Sequence, residues 1–430
     1  MTQNKKRPLI LIIAGLALLK GLILFGVLPV FQQENRQIYN ANLFPDGYDL
    51  IAENLLEGHG YRMYPETSET LIRTPGFVFI LAGLFAIAGK SLSVIKAFNL
   101  LLSLGTGWLV YILAARLTGS RLTAIIASVI FLFFPGTVIA ESRGGVEVTL
   151  AFCIVLFILL LYQALDSLAF RDFALAGAVL GFGLLVKSSL ALVLPILFIF
   201  SAMRQRNRVS FWRLVGLFAM STLVAALCLS PWIIRNYSLA DEFVPTMTVG
   251  GLAAFQGLYV VQHHSTGKQH YELLDEAAAE QARIADGMGL RVKHGFFPQF
   301  YSAKDELRFY RALGDKAKAE YRKSPLLLVR VGLFNLWSFW FQGKTNRATI
   351  LNMILTVPFL ILVTIGSLAA FRRELSIGLL LIFVAAFVAT HLPIMAMARY
   401  YIPLVPLLAI PAALPVASVM MHWGRRRFNN

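Results

Sequence analysis

Apolar runs of about 20 residues recur along almost the whole chain, each enough to cross roughly 30 Å of hydrocarbon as an α-helix. LVGLFAMSTLVAALCL (214–229) and ILTVPFLILVTIGSLAAF (354–371) show the pattern. Such runs rarely alternate with period two, which argues against a transmembrane β-barrel. Only 14% of residues are charged and the mean hydropathy is +0.68, whereas a soluble domain carries about a quarter charged residues. The chain therefore reads as an all-α integral membrane protein.

The formal net charge of +16 suggests nucleic acid at first sight. The cations divide between loop ends and one long hydrophilic stretch, so membrane orientation and anionic lipid explain them better. Cys153 and Cys228 both lie inside apolar runs, with no CxxC or disulfide framework. The opening KKRPLILIIAGLALLKGLILFGVLPV is too long for a signal-peptide core and no A-x-A site follows, so it reads as a retained first helix.

Lys5, Lys6 and Arg7 place the N-terminus in the cytoplasm under the positive-inside rule. The run from Pro75 to Gly89 is short for a span and opens with Pro-Gly, so it is read as interfacial or re-entrant. Further spans then fall near 94–115, 121–139, 147–165, 172–187, 189–203, 211–232, 348–371, 375–392 and 402–421. With these, the basic turns at Arg116/Arg121, Arg171, Arg204/Arg206/Arg208, Arg372/Arg373 and Arg425/Arg426/Arg427 all fall inside. The expectation is about ten spans in the cell (inner) membrane, with both termini cytoplasmic. Lys187-Ser188-Ser189 joins two short spans as a hairpin tip, a placement tolerated at depth only beside a cavity or buried in protein. Three regions follow: an N-terminal transmembrane module, 1–235, including an outer loop 31–93; an extracytoplasmic region, 236–347; and C-terminal helices, 348–430. In the middle region, DEAAAEQARIADGM and KDELRFYRALGDKAKAEYRK have helical composition with i,i+4 opposite charges. SPLLLVRVGLFNLWSFWFQ reads as an amphipathic helix in the headgroup layer. No internal repeat is evident, which weighs against an inverted-repeat transporter.

The most informative polar segment is FPDGYDLIAENLLEGHGYRMYPETSETLIRTPGF (44–77), which concentrates acids, Gly and Tyr beside the membrane. The topology gathers Asp46, Asp49, Arg73, Glu141, Arg143, Glu147, Lys187, Arg235 and Arg399 on the outer side. Carboxylates can serve as a general base on a hydroxyl, and Arg and Lys can clamp a phosphate leaving group. Plainer readings stand beside these. Asp46 also reads as a helix N-cap, Asp49 as a solvated first-turn acid, and Glu147 as a cap-region acid paired with Arg143. Arg73 reads as a headgroup anchor, and Lys20 as a side chain that snorkels or meets an internal acid. Lys187, flanked by long apolar runs, points to function by default. His263, His264 and His270 match no zinc pattern and read as surface histidines; no metal and no cofactor is expected. Trp337 to Phe341 reads as an interface belt, and Gly144-Gly145 and Gly250-Gly251 are too sparse for nucleotide-phosphate loops.

Seven segments, in this order, carry a family resemblance: DGYDLIAENLLEGHGY (46–61), RTPGF (73–77), FPGTVIAESRGGVEVTLAF (134–152), LVKSS (185–189), SPWIIRNY (230–237), FVPTMTVGG (243–251) and ARYYIPLVP (398–406). The chain resembles the polytopic, lipid-phosphate-sugar-dependent glycosyltransferases of the GT-C superfamily, nearest the protein mannosyltransferase and aminoarabinose transferase branch. The resemblance implies a GT-C-type helix bundle and an inverting transfer outside the cytoplasm. The sugar would pass from a polyprenyl-phosphate donor to a hydroxyl on a lipid, glycan or protein acceptor. By the same resemblance Asp46, preceding Tyr48, is the base, with Asp49 as its rival. Arg73 is the cation before Pro at the loop end, and Glu147 the acid at the mouth of the next outward helix. Lys187 stands where relatives commonly have Arg in a T-R-P-like turn; the following Pro is absent here. Arg143, Arg235 and Arg399 complete the expected substrate-binding set. The alternative is a transporter of lipid-linked glycans, or a non-catalytic lipid-sugar binding protein.

Overall fold

The computed structural model describes residues 7–28, 46–205, 207–293, 298–373 and 376–428. Lys5, Lys6, Arg206 and the 31–45 part of the expected outer loop lie outside the described residues.

Helix α1 (Arg7–Leu22) runs into a π-turn, Ile23–Val27. The outer loop then forms α2 (Tyr48–Leu56) and α3 (Pro75–Ala88). The bundle continues through α4 (Leu92–Thr118), α5 (Arg121–Phe133), α6 (Pro135–Ser142), α7 (Val146–Ser167), α8 (Phe170–Val186), α9 (Val193–Gln205) and α10 (Phe211–Ala240). Cap chemistry explains several starts. Ser91, Ser120 and Ser210 each accept a backbone N–H from the first turn of the following helix, which satisfies one of the donors a helix start leaves free. Pro135 begins α6 with no N–H to give, so the chain turns by 47° at Phe134 instead of continuing α5.

The outer region holds α11 (Gly250–His263), α12 (His270–Gly287), a two-stranded antiparallel ribbon of β1 (Val292–Lys293) and β2 (Gln299–Phe300), α13 (Ala303–Lys323) and α14 (Pro325–Phe341). The charged segments read as helical do form α12 and α13. Helices α15 (Asn346–Arg372) and α16 (Gly378–Ala389), a 3-10 segment (Ala398–Leu404) and α17 (Val405–Phe428) complete the chain.

Among the described residues six helices are long and apolar enough to cross a membrane, rising to eight if each of two bent pairs counts as one span. This count does not confirm the expected ten. Helix α8 has 17 residues and α16 has 12, while the short apolar α3 agrees with the reading of 75–89 as too short for an ordinary span. Helix α14 departs from the amphipathic expectation. It turns 116° from α13 and exposes Leu326, Leu328, Val329, Leu333, Leu336 and Trp337, while Asn335 and Ser338 are buried. Its exposed side is apolar apart from Arg330, and its buried side carries Asn335 and Ser338 beside Val331 and Phe339.

Small residues set the closest helix contacts. A side chain added at Gly177 would fall 2.4 Å from the Ser221 carbonyl, and one at Gly181 within 3.0 Å of Ala225 backbone. This i,i+4 glycine pair lets α8 and α10 meet backbone to backbone, as in membrane helix pairs generally. Ser221 Oγ adds a 2.6 Å hydrogen bond to the Phe173 carbonyl. Inside the bundle, Lys20 Nζ lies 2.8 Å from Glu141 and donates to Ser103 Oγ at 2.6 Å, with both ions fully buried. Lys20 therefore meets an internal acid.

Candidate active site

The first loop owes its shape to its own polar groups. Asn54 Nδ2 donates to the carbonyls of Leu50, Arg62 and Met63, and Tyr61 Oη donates to those of Arg73 and Thr74 at 3.2 and 3.1 Å. Gly47 precedes α2 with φ of 72°, and a side chain there would meet Met63 Cε at 2.9 Å. Glycine is needed for this left-handed turn, which sets Asp46 at the mouth of the loop.

The RTPGF segment is pressed against the break that carries Lys187. Thr74 Oγ1 donates to the Val186 carbonyl at 2.9 Å, and a side chain at Gly76 would lie 2.8 Å from the Leu185 backbone. Helix α8 stops at Val186, Lys187 is extended, and Ser188–Leu190 forms a 3-10 turn. The sequence reading of a helix break at Lys187 corresponds to this geometry.

Asp46 is the centre of the cluster. Arg399 grips it with both guanidinium nitrogens, Nη1 to Oδ2 at 2.9 Å and Nη2 to Oδ1 at 3.1 Å. Arg73 Nε donates to the Asp46 carbonyl at 2.9 Å, and its guanidinium lies over the Tyr48 ring at 5.3 Å. Lys187 Nζ sits 4.4 Å above the Tyr400 ring, with the Arg399 guanidinium 5.4 Å from the same ring. Burial alone would raise the Asp46 carboxyl, but Arg399, then Arg73 and Lys187, outweigh it and hold it well below the usual carboxylate range. Glu147, at the start of α7, is buried and acts electrostatically on both Arg399 and Tyr48. Asp49 is fully buried in the first turn of α2, one turn beyond Asp46.

The other expected residues lie apart from this centre. Arg235 is stacked on Tyr61 and Trp232, and donates to the Thr70 carbonyl at 2.9 Å and to Glu69 at 3.3 Å. Its visible work is to hold the first loop against α10. Arg143 is exposed, and Glu141 is taken up by Lys20. His391, missed in the sequence, packs on Tyr400 with ring centroids 5.3 Å apart; Tyr400 thus stands between it and Lys187.

Glu306 was also missed. It is 2% exposed and accepts from Thr70 Oγ1 at 2.7 Å, the Leu71 N–H at 2.9 Å and Thr248 Oγ1 at 3.0 Å. The Thr248 N–H donates in turn to the Leu71 carbonyl. One carboxylate therefore clasps α13, the first loop and the segment before α11. A signal existed: Ala303, Glu306, Leu307, Tyr310, Leu313, Gly314 and Ala317 recur at three- and four-residue spacing, so Glu306 stands on an apolar stripe.

The loops and helix ends of this bundle bring one acid, Asp46, together with the cations Arg399, Arg73 and Lys187. Over 100% of its length the chain superposes on 52% of the archaeal oligosaccharyltransferase AglB from Archaeoglobus fulgidus, in complex with an inhibitory peptide and a dolichol-phosphate, at 15% identity and a TM-score of 0.58. For the apo form of the Archaeoglobus fulgidus oligosaccharyltransferase the values are 98%, 52%, 17% and 0.59. The chain thus spans about half the length of these proteins. ArnT from Cupriavidus metallidurans, bound to undecaprenyl phosphate, covers 96% of this chain and 79% of its own at 14% identity and a TM-score of 0.43.

Residues 72–234 match the family model described as dolichyl-phosphate-mannose-protein mannosyltransferase. The chain resembles the GT-C glycosyltransferases in both sequence and fold, and it is a multi-pass membrane protein. No curated protein sequence matches it.

Proposed function

We propose that the protein transfers a sugar from a polyprenyl-phosphate donor to an acceptor hydroxyl on the extracytoplasmic side, with inversion and with Asp46 as general base. The observation that carries this reading is the Asp46 carboxylate gripped by Arg399, with Arg73 on the Asp46 backbone carbonyl and Lys187 on the same Tyr400 ring as Arg399. The dolichol-phosphate bound by AglB supports a lipid-phosphate ligand. The acceptor O–H proton passes to Asp46 while the acceptor oxygen attacks the anomeric carbon. The bond from that carbon to the phosphate oxygen breaks, and its electron pair leaves on the lipid phosphate. Arg73, Lys187 and Arg399 stabilise the phosphate charge that develops. Glu147 helps orient Arg399 and the acceptor.

At rest Arg399 occupies both Asp46 oxygens, and a carboxylate so held is ionised but weakly basic. It becomes an effective base once an incoming phosphate draws Arg399 away. Asp46→Asn removes the base and retains the shape, so transfer in purified protein should fall by about 10²-fold or more, with polyprenyl-phosphate binding retained. Full activity in that variant would move the base to Asp49 or sink the proposal.

The buried Lys20–Glu141 pair favours a second reading, transport of a lipid-linked glycan, since ionisable groups inside a bundle often mark a translocation path. Turnover of the donor by the purified protein in detergent, with no gradient present, decides between the two.

A further inference from the structure

Residues 70–74, which carry Arg73 up to the start of α3, form neither helix nor strand. No regular backbone ladder holds this stretch, so its path is set by hydrogen bonds to other parts of the protein. Towards α3, Tyr61 Oη donates to the Arg73 and Thr74 carbonyls, and Thr74 Oγ1 donates to that of Val186. At the other end Arg235 of α10 donates to the Thr70 carbonyl, and the Thr248 N–H to that of Leu71. Two donors of that end, the Thr70 hydroxyl and the Leu71 N–H, share one acceptor, Glu306 of α13.

The chain of bonds runs on towards Arg73. Thr70 Oγ1, while donating to Glu306, accepts the N–H of Ile72 at 3.2 Å, and Ile72 is the neighbour of Arg73. Thr70, Leu71 and Ile72 are buried, so water is poorly placed to replace a missing acceptor. A buried donor left unpaired is costly enough to move the chain that carries it. A carboxylate suits this post because both of its oxygens accept, and Glu306 spends one on Thr70 and the other on Leu71 and Thr248. Tyr310, one turn further along α13, lies buried within electrostatic reach of both Glu306 and Arg73. This face of α13 therefore comes near the cation as well as the loop.

Lys187 and Arg399 reach the cluster from other elements and share the Tyr400 ring. Among the three cations, Arg73 is the one joined to the clasp by the chain itself. We infer that Glu306 is a positioning residue, which acts through Thr70 and Leu71 to set Arg73 for the phosphate bound at the Asp46 cluster. Grip on the phosphate thereby depends on the seating of α13, an element that contributes no side chain to the cluster. The phosphate in this statement rests on the transferase reading; the placement of Arg73 stands or falls by itself.

The test uses the full chain in detergent with two readouts. One is modification of Arg73 by phenylglyoxal, followed by peptide mass spectrometry with the exposed Arg143 as reference. The other is binding of undecaprenyl phosphate, with undecaprenol as the uncharged control. Arg73 is 7% exposed, so the native protein should protect it. Glu306→Leu, similar in size but without an acceptor, should speed Arg73 modification and weaken phosphate binding, each by at least about fivefold. Glu306→Gln still accepts from the Leu71 N–H and can donate to Thr70 Oγ1, so it should restore most of both. Thr70→Val should follow Glu306→Leu. Thr248→Val cuts only the bond to the segment before α11 and should stay within about twofold of native. In an Arg73→Ala background Glu306→Leu should weaken binding no further, whereas a general loss of structure would add its own cost. Unchanged Arg73 modification in Glu306→Leu, a full further loss in the Arg73→Ala background, or equal effects of Thr248→Val and Thr70→Val would each overturn the inference. Should Glu306→Leu not yield folded protein, Thr70→Val decides by the same readouts. Native protein that binds undecaprenyl phosphate no better than undecaprenol would overturn the lipid-phosphate reading, and Arg73 modification would then decide the positioning role alone.

Discussion

At the scale of single residues, two carboxylates in the same outer region are driven in opposite directions. Asp46 is held low by its cations, so across neutral pH it stays ionised; its contribution to stability is lost only as pH falls through and below the usual carboxylate range. Glu306 meets three neutral donors and a more distant Arg235, and burial pushes it up to about 7 against them. With a folded pKa above the ordinary value near 4.3, the folded protein binds the extra proton between about 4.5 and 7, and stability falls as pH rises through that window. The full effect is roughly 3 kcal/mol at 1.36 kcal/mol per unit. The expected outcome is a melting temperature that drops from pH 5 to pH 8 in the native protein and drops much less in Glu306→Gln. Equal slopes would mean that Glu306 does not titrate there.

Among the elements, the contact between the start of α3 and the end of α8 decides whether the cations meet. Gly76 lets Thr74 reach the Val186 carbonyl, and this brings Arg73 to the side of the bundle where Lys187 leaves its helix. Gly76→Ala forces backbone apart at a 2.8 Å approach. A misplacement near 1 Å at a reacting centre can cost about 10²-fold, so transfer should drop about 10- to 100-fold while the protein still inserts and is purified in normal yield. Activity near the native level would show that the cluster tolerates the shift. Part of this element logic was legible. Lys187 between two apolar runs announced a break, and Pro75 with Gly76 announced a short helix. Hidden was the contact itself, because nothing in either segment names the other.

For the whole molecule, the charge-derived topology requires Asp46 and its neighbours to face outward, with the α7–α8 turn in the cytoplasm. In a background with Cys153 and Cys228 replaced by Ala, a membrane-impermeant maleimide on intact cells should label Glu57→Cys and leave Arg171→Cys unlabelled until the cells are opened; both positions are exposed. The reverse pattern would turn the protein over and dismiss an extracytoplasmic site.

Run length and charge are enough to define the class of molecule, because in hydrocarbon an apolar chain must satisfy its backbone within helices. The sequence also placed Lys187 between apolar runs, where an ionisable group points to function, and family resemblance singled out Asp46, Arg73 and Arg399. Tertiary structure alone decided which of them meet. Asp46 and Arg399, 353 positions apart, form a bidentate pair, whereas Arg235 turns to Glu69 and Glu141 to Lys20. Charged groups of either sign read alike in a string; distance and burial select each partner, and both are properties of the packed bundle.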